Sequence, residues 1–431
     1  MKILKSNGIS AFGGLNFVIE ELDNKEIGKI LNEALPKLGA QSKYNWRDLL
    51  YSYWSVFFCG GDCAEDLSGN FKPSLSQSPK LKVPSPDRVL NRLKELVEPA
   101  TKFPTSRGKH LHQFAINEKL TELNLKVLKR ITNLAESMVD LDYDNTVCYT
   151  EKEDAQITYK KCYGYVPGVA LVGSNVVYVE NRNGRSNAGI LQSETLERMF
   201  KHLENNNIKT NRFRADSASY EFKTIRTIAK YTNKFYVKAR MSSAMDTVIS
   251  LVEEWETVGN NEDGIYRGEA FYTPFKRAAR DHKMQDELHT YRFIVTKEKR
   301  KDGQINTFTG EACIYSIIIT NDEESDPDNI VFYYNQRGTI EREFEVLKHD
   351  FGWQKLPFSS LEQNQVYLQI MAICRNIYHY LINLFSKKVK GLHPKYRIKK
   401  FIFRFIAVPA KWVYCSRQWH LRVYGTINWE T

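Results

Sequence analysis

Four side chains in the C-terminal third, Tyr334, Arg337, Glu341 and Lys348, have types and spacing that could act together on a phosphate. On a helix turning about 100° per residue, Arg337, Glu341 and Lys348 fall within an arc of roughly 40°. Ile340, Phe344, Leu347 and Phe351 form an apolar stripe beside them that would fix the helix to a core. A carboxylate between two phosphate-binding cations suits metal-dependent cleavage at phosphorus, with the acid as ligand and the cations as clamps. The same residues also fit an ordinary Arg337–Glu341 surface pair one helical turn apart.

Two further acids stand where a strand gives way to a polar turn. Val139, Leu141 and Tyr143 alternate with Asp140, Asp142 and Asp144, which predicts a strand with three carboxylates on one face. Asp144 precedes Asn145-Thr146 and so lies nearest the strand end, with Asp142 as the alternative first acid. Downstream, Phe213 and Ala215 alternate with Arg214 and Asp216, placing Asp216 at the end of a second strand. Gathering carboxylates raises their pKa values unless a cation compensates them. Mg²⁺ takes oxygen ligands and keeps positions open for water and phosphate, and two such ions about 4 Å apart suit an in-line displacement at phosphorus.

The elements that must position these acids follow from periodicity. Residues 15 to about 132 read as mainly helical, with an apolar aromatic helix at Asn45–Phe58. Ser85-Pro86-Asp87 supplies a cap, a first-turn proline and an acid, and opens a helix through Leu96. Its Arg88, Arg92 and Lys94 fit either a DNA groove or a solvated face. Strands are expected at 139–144, near 155–160, 168–172 and 176–180, then a helix at 191–204, a strand at 212–216, a helix near 219–230 and a strand at 234–240. Between 243 and 330 come strands at 264–272, 291–296 and 313–320 with an Asp302-Gly303 turn, then an acidic linker at 321–329. Ile330–Tyr334 reads as a strand or loop leading into the Glu341 helix, followed by a long helix at 361–386 and two short strands around Trp412 and Trp419.

The bulk numbers agree with a nucleic-acid partner. The chain has 431 residues, a net charge of +11, 42% hydrophobic and 13% aromatic residues, which fits a globular protein with a polyanionic partner. Seven scattered cysteines suit reduced thiols. Cys59-x3-Cys63 with His110-x-His112 is a weaker candidate for a zinc site, unsupported by a second cysteine pair. No secretory pattern opens the sequence. The longest apolar run, 366–385, is interrupted by Gln369, Arg375, Asn376 and His379 and reads as a buried helix, so no membrane partner and a cytoplasmic, nucleoid-associated location are expected.

The spacing Tyr334-x2-Arg337-x3-Glu341-x6-Lys348 resembles the Y-R-E-K signature of bacterial insertion-sequence transposases of the DDE type, and the resemblance spans roughly residues 135–385. It implies an α/β fold, an RNase H-like mixed sheet flanked by helices and interrupted by a β-rich insertion domain, with a helical N-terminal region. The implied divisions are 1–132 (helical, DNA-binding), 133–242 (core, first part), 243–330 (insertion), 331–390 (core, second part, with the Glu helix) and 391–431 (basic tail). Implied too are Asp144, Asp216 and Glu341 as ligands of two Mg²⁺ ions, with Mn²⁺ able to replace them, and cut-and-paste transposition through a DNA hairpin. Tyr334, Arg337 and Lys348 would contact DNA phosphates. Trp255 is the insertion's candidate for stacking on a flipped base, or else a core tryptophan. The partners implied are double-stranded DNA at terminal inverted repeats, target DNA and a second copy in a synaptic complex. The chain departs from the family in Ser217-Ala218-Ser219-Tyr220, where members often have a glycine close to an aromatic. A non-catalytic DNA-binding derivative and an RNase H-like nuclease without strand transfer are the competing readings.

Overall fold

A computed structural model describes residues 7–105, 108, 110–259, 264–305 and 310–425. The N-terminal segment forms helices α1 (Leu15–Asn24), α2 (Ile27–Ala34), α3 (Trp46–Phe58), α4 (Lys72–Leu75) and α5 (Pro86–Lys94), then strands β1 (Thr101–Pro104) and β2 (Leu111–Ala115) and helix α6 (Glu118–Ile131). Local chemistry explains the starts. Asn45 and Asp48 form a reciprocal capping box on α3, and the Ser85 side chain caps α5 ahead of Pro86. The two strands are an addition to the mainly helical reading of this region. They lie outside the helical period and pair onto the central sheet through Phe114 and Ala115.

The middle of the chain follows the expected order. Strands β3 (Val139–Asn145), β4 (Cys148–Tyr149), β5 (Gln156–Ile157), β6 (Tyr163–Tyr165), β7 (Gly168–Val172) and β8 (Asn175–Arg182) precede α7 (Gln192–Asn205), β9 (Thr210–Ala215), α8 (Phe222–Tyr231) and β10 (Thr232–Lys238). Next come α9 (Ser243–Ser250), β11 (Glu256–Thr257), β12 (Ile265–Tyr272), α10 (Lys276–Asp281), β13 (Tyr291–Lys299) and β14 (Cys313–Thr320). The chain closes with α11 (Pro327–Asn335), α12 (Thr339–Asp350), α13 (Leu361–Phe385), α14 (Ile398–Phe401), β15 (Ala410–Cys415) and β16 (Gln418–Val423).

Eleven strands make one sheet in the order β1-β2-β8-β7-β3-β9-β10-β14-β13-β12-β11. β3 is antiparallel to β7 and parallel to β9, which is parallel to β10. The fold is therefore α/β, a large mixed sheet with helices on both faces. The strands of 243–330 do not stand apart as a separate β layer. β14 pairs antiparallel with β10, so the insertion prolongs the same sheet, because β10 would otherwise present an unpaired edge.

One face of the sheet packs with α1–α3, α12 and α13 in a single core that also takes in Phe401, Phe405 and Ile406 of the C-terminal segment. The other face packs against α7 and α8 through Leu196, Phe200, Ile225 and Ile228. The central helix α13 is buried on nearly every side, and three of its side-chain amides donate to neighbouring elements there. Gln365 Nε2 donates to Val179 O at 2.8 Å, Asn376 Nδ2 to Val176 O at 2.8 Å, and Gln369 Nε2 to Thr121 Oγ1 at 2.9 Å. The interruptions of its apolar run are thus bonds to neighbouring elements. No described helix is long and apolar enough to cross a membrane. Near the N-terminus the chain runs against the tail, and a Cβ at Gly14 would stand 2.0 Å from Phe405 O.

Candidate active site

The site is built on the ladder between β3 and β9. Asp140 faces Arg212 and Asp142 faces Arg214 in register. Arg212 Nε donates to Asp140 Oδ1 at 2.9 Å. Arg214 grips Asp142 with both ends of its fork, at 2.6 and 2.8 Å. The same two guanidinium groups lie over the Tyr333 ring, 4.0 and 4.3 Å from its centroid. The next rung in this period would set Asp144 against Asp216. There no strand arginine stands, and two carboxylates come within electrostatic reach of each other at the C-terminal ends of parallel strands.

The electrostatics mark that rung. Burial, then the Asp216 carboxylate, push the Asp144 carboxyl up to about 6, against the pull of Arg337. Asp142 is also raised by burial, against the pull of the Arg214 fork. Asp142 is therefore held in a closed pair with side-chain exposure of 7%. Asp216 caps the short turn Ser217–Ser219, with Oδ1 accepting from Ala218 N at 3.0 Å. That bond fixes the acid without the glycine that the resemblance led one to expect, and Tyr220 packs on Phe275 at 4.8 Å.

The signature residues arrive from α11 and α12. Asp326 caps α11 ahead of Pro327, so 327–335 is helix, where a linker and an extended lead-in were expected. The acidic run is folded too: the buried Asp322 accepts from Lys234 Nζ at 2.8 Å and Tyr236 Oη at 2.7 Å. A turn of 3₁₀ helix, Gln336–Gly338, separates α11 from α12, so Arg337 and Glu341 do not share one regular helix face. Arg337 instead reaches Asp144, Nη1 to Oδ2 at 2.9 Å, with both side chains 16% exposed. The i,i+4 surface pair is thereby replaced by a contact with the strand.

Tyr334 is buried, and its hydroxyl donates to Ala215 O at 3.3 Å, next to Asp216. Glu341 is exposed in the first turn of α12, and no hydrogen bond or ion pair engages it among the described residues. Glu343 ties this helix down, accepting from Ser174 Oγ at 2.8 Å and pairing with Arg375 of α13. Asp350 accepts from Arg397 Nε at 2.8 Å at the other end. Lys348 is half-buried and within electrostatic reach of Cys148, whose thiol burial pushes up to about 12.

Asp144, Asp216 and Glu341 are not drawn into one cluster. Among the described residues, the group with ligand atoms all within 4.8 Å of one another is Asp62, Cys63 and Asp66. Asp144 and Asp216 lie within electrostatic reach of each other, and Glu341 stands exposed in the first turn of α12. The zinc set from sequence does not assemble: Cys59 is buried at the end of α3, Cys63 bonds Asp66, and His112 meets Ser186 at 3.2 Å. Trp255 is half-buried, packs against Tyr315 with centroids 6.4 Å apart, and lies under Lys297. It belongs to the β12–β14 end of the sheet, several strands of about 4.8 Å spacing away from β3, so the structure does not bring it to the acids. Sequence reasoning missed Arg212 and Arg214, whose i,i+2 spacing mirrors that of Asp140 and Asp142 and could have revealed the pairing.

A family model described as transposase DDE domain, group 1, matches residues 7–429. The chain belongs to that family, whose chemistry is phosphoryl transfer on DNA and generally uses divalent metal ions. It is a DNA transposase. Among solved structures, a cryo-EM structure of the piggyBac transposase synaptic complex with hairpin DNA is similar at 14% identity, over 90% of this chain and 76% of that one, with a TM-score of 0.44. Among curated proteins none matches.

Proposed function

We propose that this transposase cuts and joins DNA at Asp144, Asp216 and Glu341, and that it is of the bacterial insertion-sequence type with the Y-R-E-K signature. The observation that carries the reading is the next rung, which has no strand arginine. On β3 and β9 two acid–arginine rungs are closed, while beyond Tyr143 and Ala215 come Asp144 and Asp216, two carboxylates within electrostatic reach of each other. Such a pair costs stability unless a cation is to be held there. Divalent ions, two Mg²⁺ or Mn²⁺ in their place, would be bound by Asp144, Asp216 and Glu341, and would supply an activated attacking oxygen and stabilisation of the leaving one.

The chain's own residues then have distinct work. Arg337 holds Asp144 in place and offers its remaining N–H groups to a phosphate. Lys348, on the following helix α12, adds a second positive charge. Tyr334 orients the Ala215–Asp216 backbone and so acts as a positioning residue. Glu341 stands exposed and free of other partners, as a ligand recruited by a cation would. Water attack would release a 3′-OH at the element end. That hydroxyl would attack the opposite strand to give a hairpin, and after reopening it would join to target DNA. Residues 1–132 and 391–431 would supply DNA contacts around the 133–242 and 331–390 core, with 243–330 as its insertion and Trp255 as that segment's candidate contact. Terminal inverted repeats would be held by two copies, in a cytoplasmic, nucleoid-associated setting.

The test is cleavage and strand transfer on DNA carrying the element's ends, with Mg²⁺. Loss of both in Asp144→Asn, Asp216→Asn and Glu341→Gln, with Asp142→Asn failing by misfolding instead, is the expected pattern. Unchanged cutting by Asp216→Asn would remove the site.

A further inference from the structure

Between β3 and β7 in chain order, the chain builds a small accessory sheet, β4-β6-β5. It leaves β3 directly after Asn145 and returns at β7, so it hangs from the end of β3 that carries Asp144. Asn145 Nδ2 bonds Val166 O at 3.2 Å, Thr146 N bonds Pro167 O at 3.0 Å and Val166 N bonds Arg182 O at 2.8 Å, which root it there. Its outer hairpin, β5–β6, is closed by a five-residue tip, Thr158-Tyr159-Lys160-Lys161-Cys162. Thr158 N donates to Cys162 O at 2.8 Å and Lys161 N to Thr158 O at 3.0 Å. Thr158 Oγ1 meets Cys162 Sγ at 3.3 Å and accepts from Lys160 N at 3.3 Å. Lys161 takes the left-handed φ of +59° that such a tip requires.

This bonded tip carries an aromatic ring and two cations outward. Tyr159 is 56% exposed, and beside it stands the exposed cross-strand pair Ile157 and Tyr163, at 49% and 53%. Lys160 and Lys161 are exposed, and neither forms an ion pair among the described residues. The opposite edge is different in kind: Tyr149 donates its hydroxyl to Glu151, which leaves that edge acidic. The Tyr159 hydroxyl is raised by partial burial and then by the Asp144 and Asp216 carboxylates, which are within electrostatic reach of it.

We infer that the β5–β6 tip, Tyr159-Lys160-Lys161, is a docking surface for unpaired DNA at the cleaved end, with Tyr159 stacking on a base and the lysines meeting its phosphates. This rests on the proposed cleavage site and adds the recognition of a single-stranded segment to it. An exposed ring on a rigid, cationic hairpin is the combination that holds bases without sequence preference. Trp255 is too far across the sheet to serve the same base within one chain.

The test uses the full chain and two fluorescent duplexes of one sequence, blunt or with a four-nucleotide 3′ extension containing 2-aminopurine. Wild type should prefer the extended duplex and change 2-aminopurine emission on binding. Tyr159→Ala should lose about tenfold of that preference, while Tyr159→Phe keeps it. Lys160→Ala with Lys161→Ala should flatten the salt dependence for the extended duplex. Equal binding of both duplexes by wild type, or an undiminished preference in folded Tyr159→Ala, would overturn the inference. Asp216→Asn separates the two readings. If it binds the extension as wild type does while cleavage is absent even in wild type, the tip stands and the catalytic reading falls.

Discussion

Arg337 Nη1 donates to Asp144 Oδ2 at 2.9 Å, across 193 positions of sequence. Two steps earlier on the same strand face, Asp142 has its own arginine in Arg214. The two pairs differ in what they face. The Asp142 pair is closed beneath Tyr333, whereas the Asp144 pair abuts a second carboxylate, Asp216. The first is a structural bond, and the second is the pair we propose to hold a counter-ion.

Asp144→Asn should abolish cleavage and raise stability at neutral pH. A carboxyl whose folded value is raised from 3.8 to about 6 binds more protons folded than unfolded between those values. Its stability contribution is therefore unfavourable above about 6, shrinks as pH falls through that window and vanishes below 3.8. The gain in Asn should be about 1–3 kcal/mol at pH 7 and near zero at pH 3.5. Urea midpoints of both proteins across that range check it.

Arg214→Ala should destabilise far more than Arg337→Ala. Removing Arg214 leaves Asp142 buried and unpaired, at a cost of about 3–5 kcal/mol. Removing Arg337 leaves Asp144 able to take a proton, so the loss should be about 1 kcal/mol, with activity falling by orders of magnitude. Thermal melts beside single-turnover cleavage rates distinguish the two. A larger melting loss for Arg337→Ala would make its pair with Asp144 the structural one.

Binding of a divalent ion should strengthen between pH 5 and 7.5. The ligand must be ionised, and Asp144 titrates within that window. Calorimetry with Mg²⁺ in two buffers of different ionisation enthalpy should show proton release at pH 5.5 that disappears by pH 7.5. Asp216→Asn should remove the signal.

Tyr334→Phe should lower stability by about 1 kcal/mol, the worth of one hydrogen bond, through loss of the bond to Ala215 O. It should slow cleavage while leaving DNA affinity and its salt dependence unaltered. Lys348→Ala should do the reverse, weakening binding and reducing the salt slope by about one. Fluorescence anisotropy at several salt concentrations compares them.

Much of this was legible in the chain. The alternation at 139–144 and 212–216 placed both strands, and the gaps from Tyr334 to Lys348 singled out Tyr334 and Arg337, whose side chains reach them. The buried helix at 361–385 followed from apolar length, interrupted by too many polar residues for a membrane span. Local rules failed where partners are distant. Periodicity could not separate Asp142 from Asp144, because both lie on the same strand face. Nor could it show that 243–330 extends the central sheet, since strand pairing is a choice among distant edges.

What the sequence by itself determined is the inventory: a basic chain, three acids at element ends, and a Tyr-Arg-Glu-Lys series at fixed gaps. Residue type and period are local properties, and a single chain states them fully. Tertiary structure alone decided the assignments. The parallel register of β3 and β9 gave Asp142 its arginine and left Asp144 facing Asp216, the 3₁₀ turn at 336–338 sent Arg337 to the strand, and the Ala215 carbonyl took the Tyr334 hydroxyl. Each depends on which groups compete for one charge or one proton across the fold, and that competition is set by distance in space.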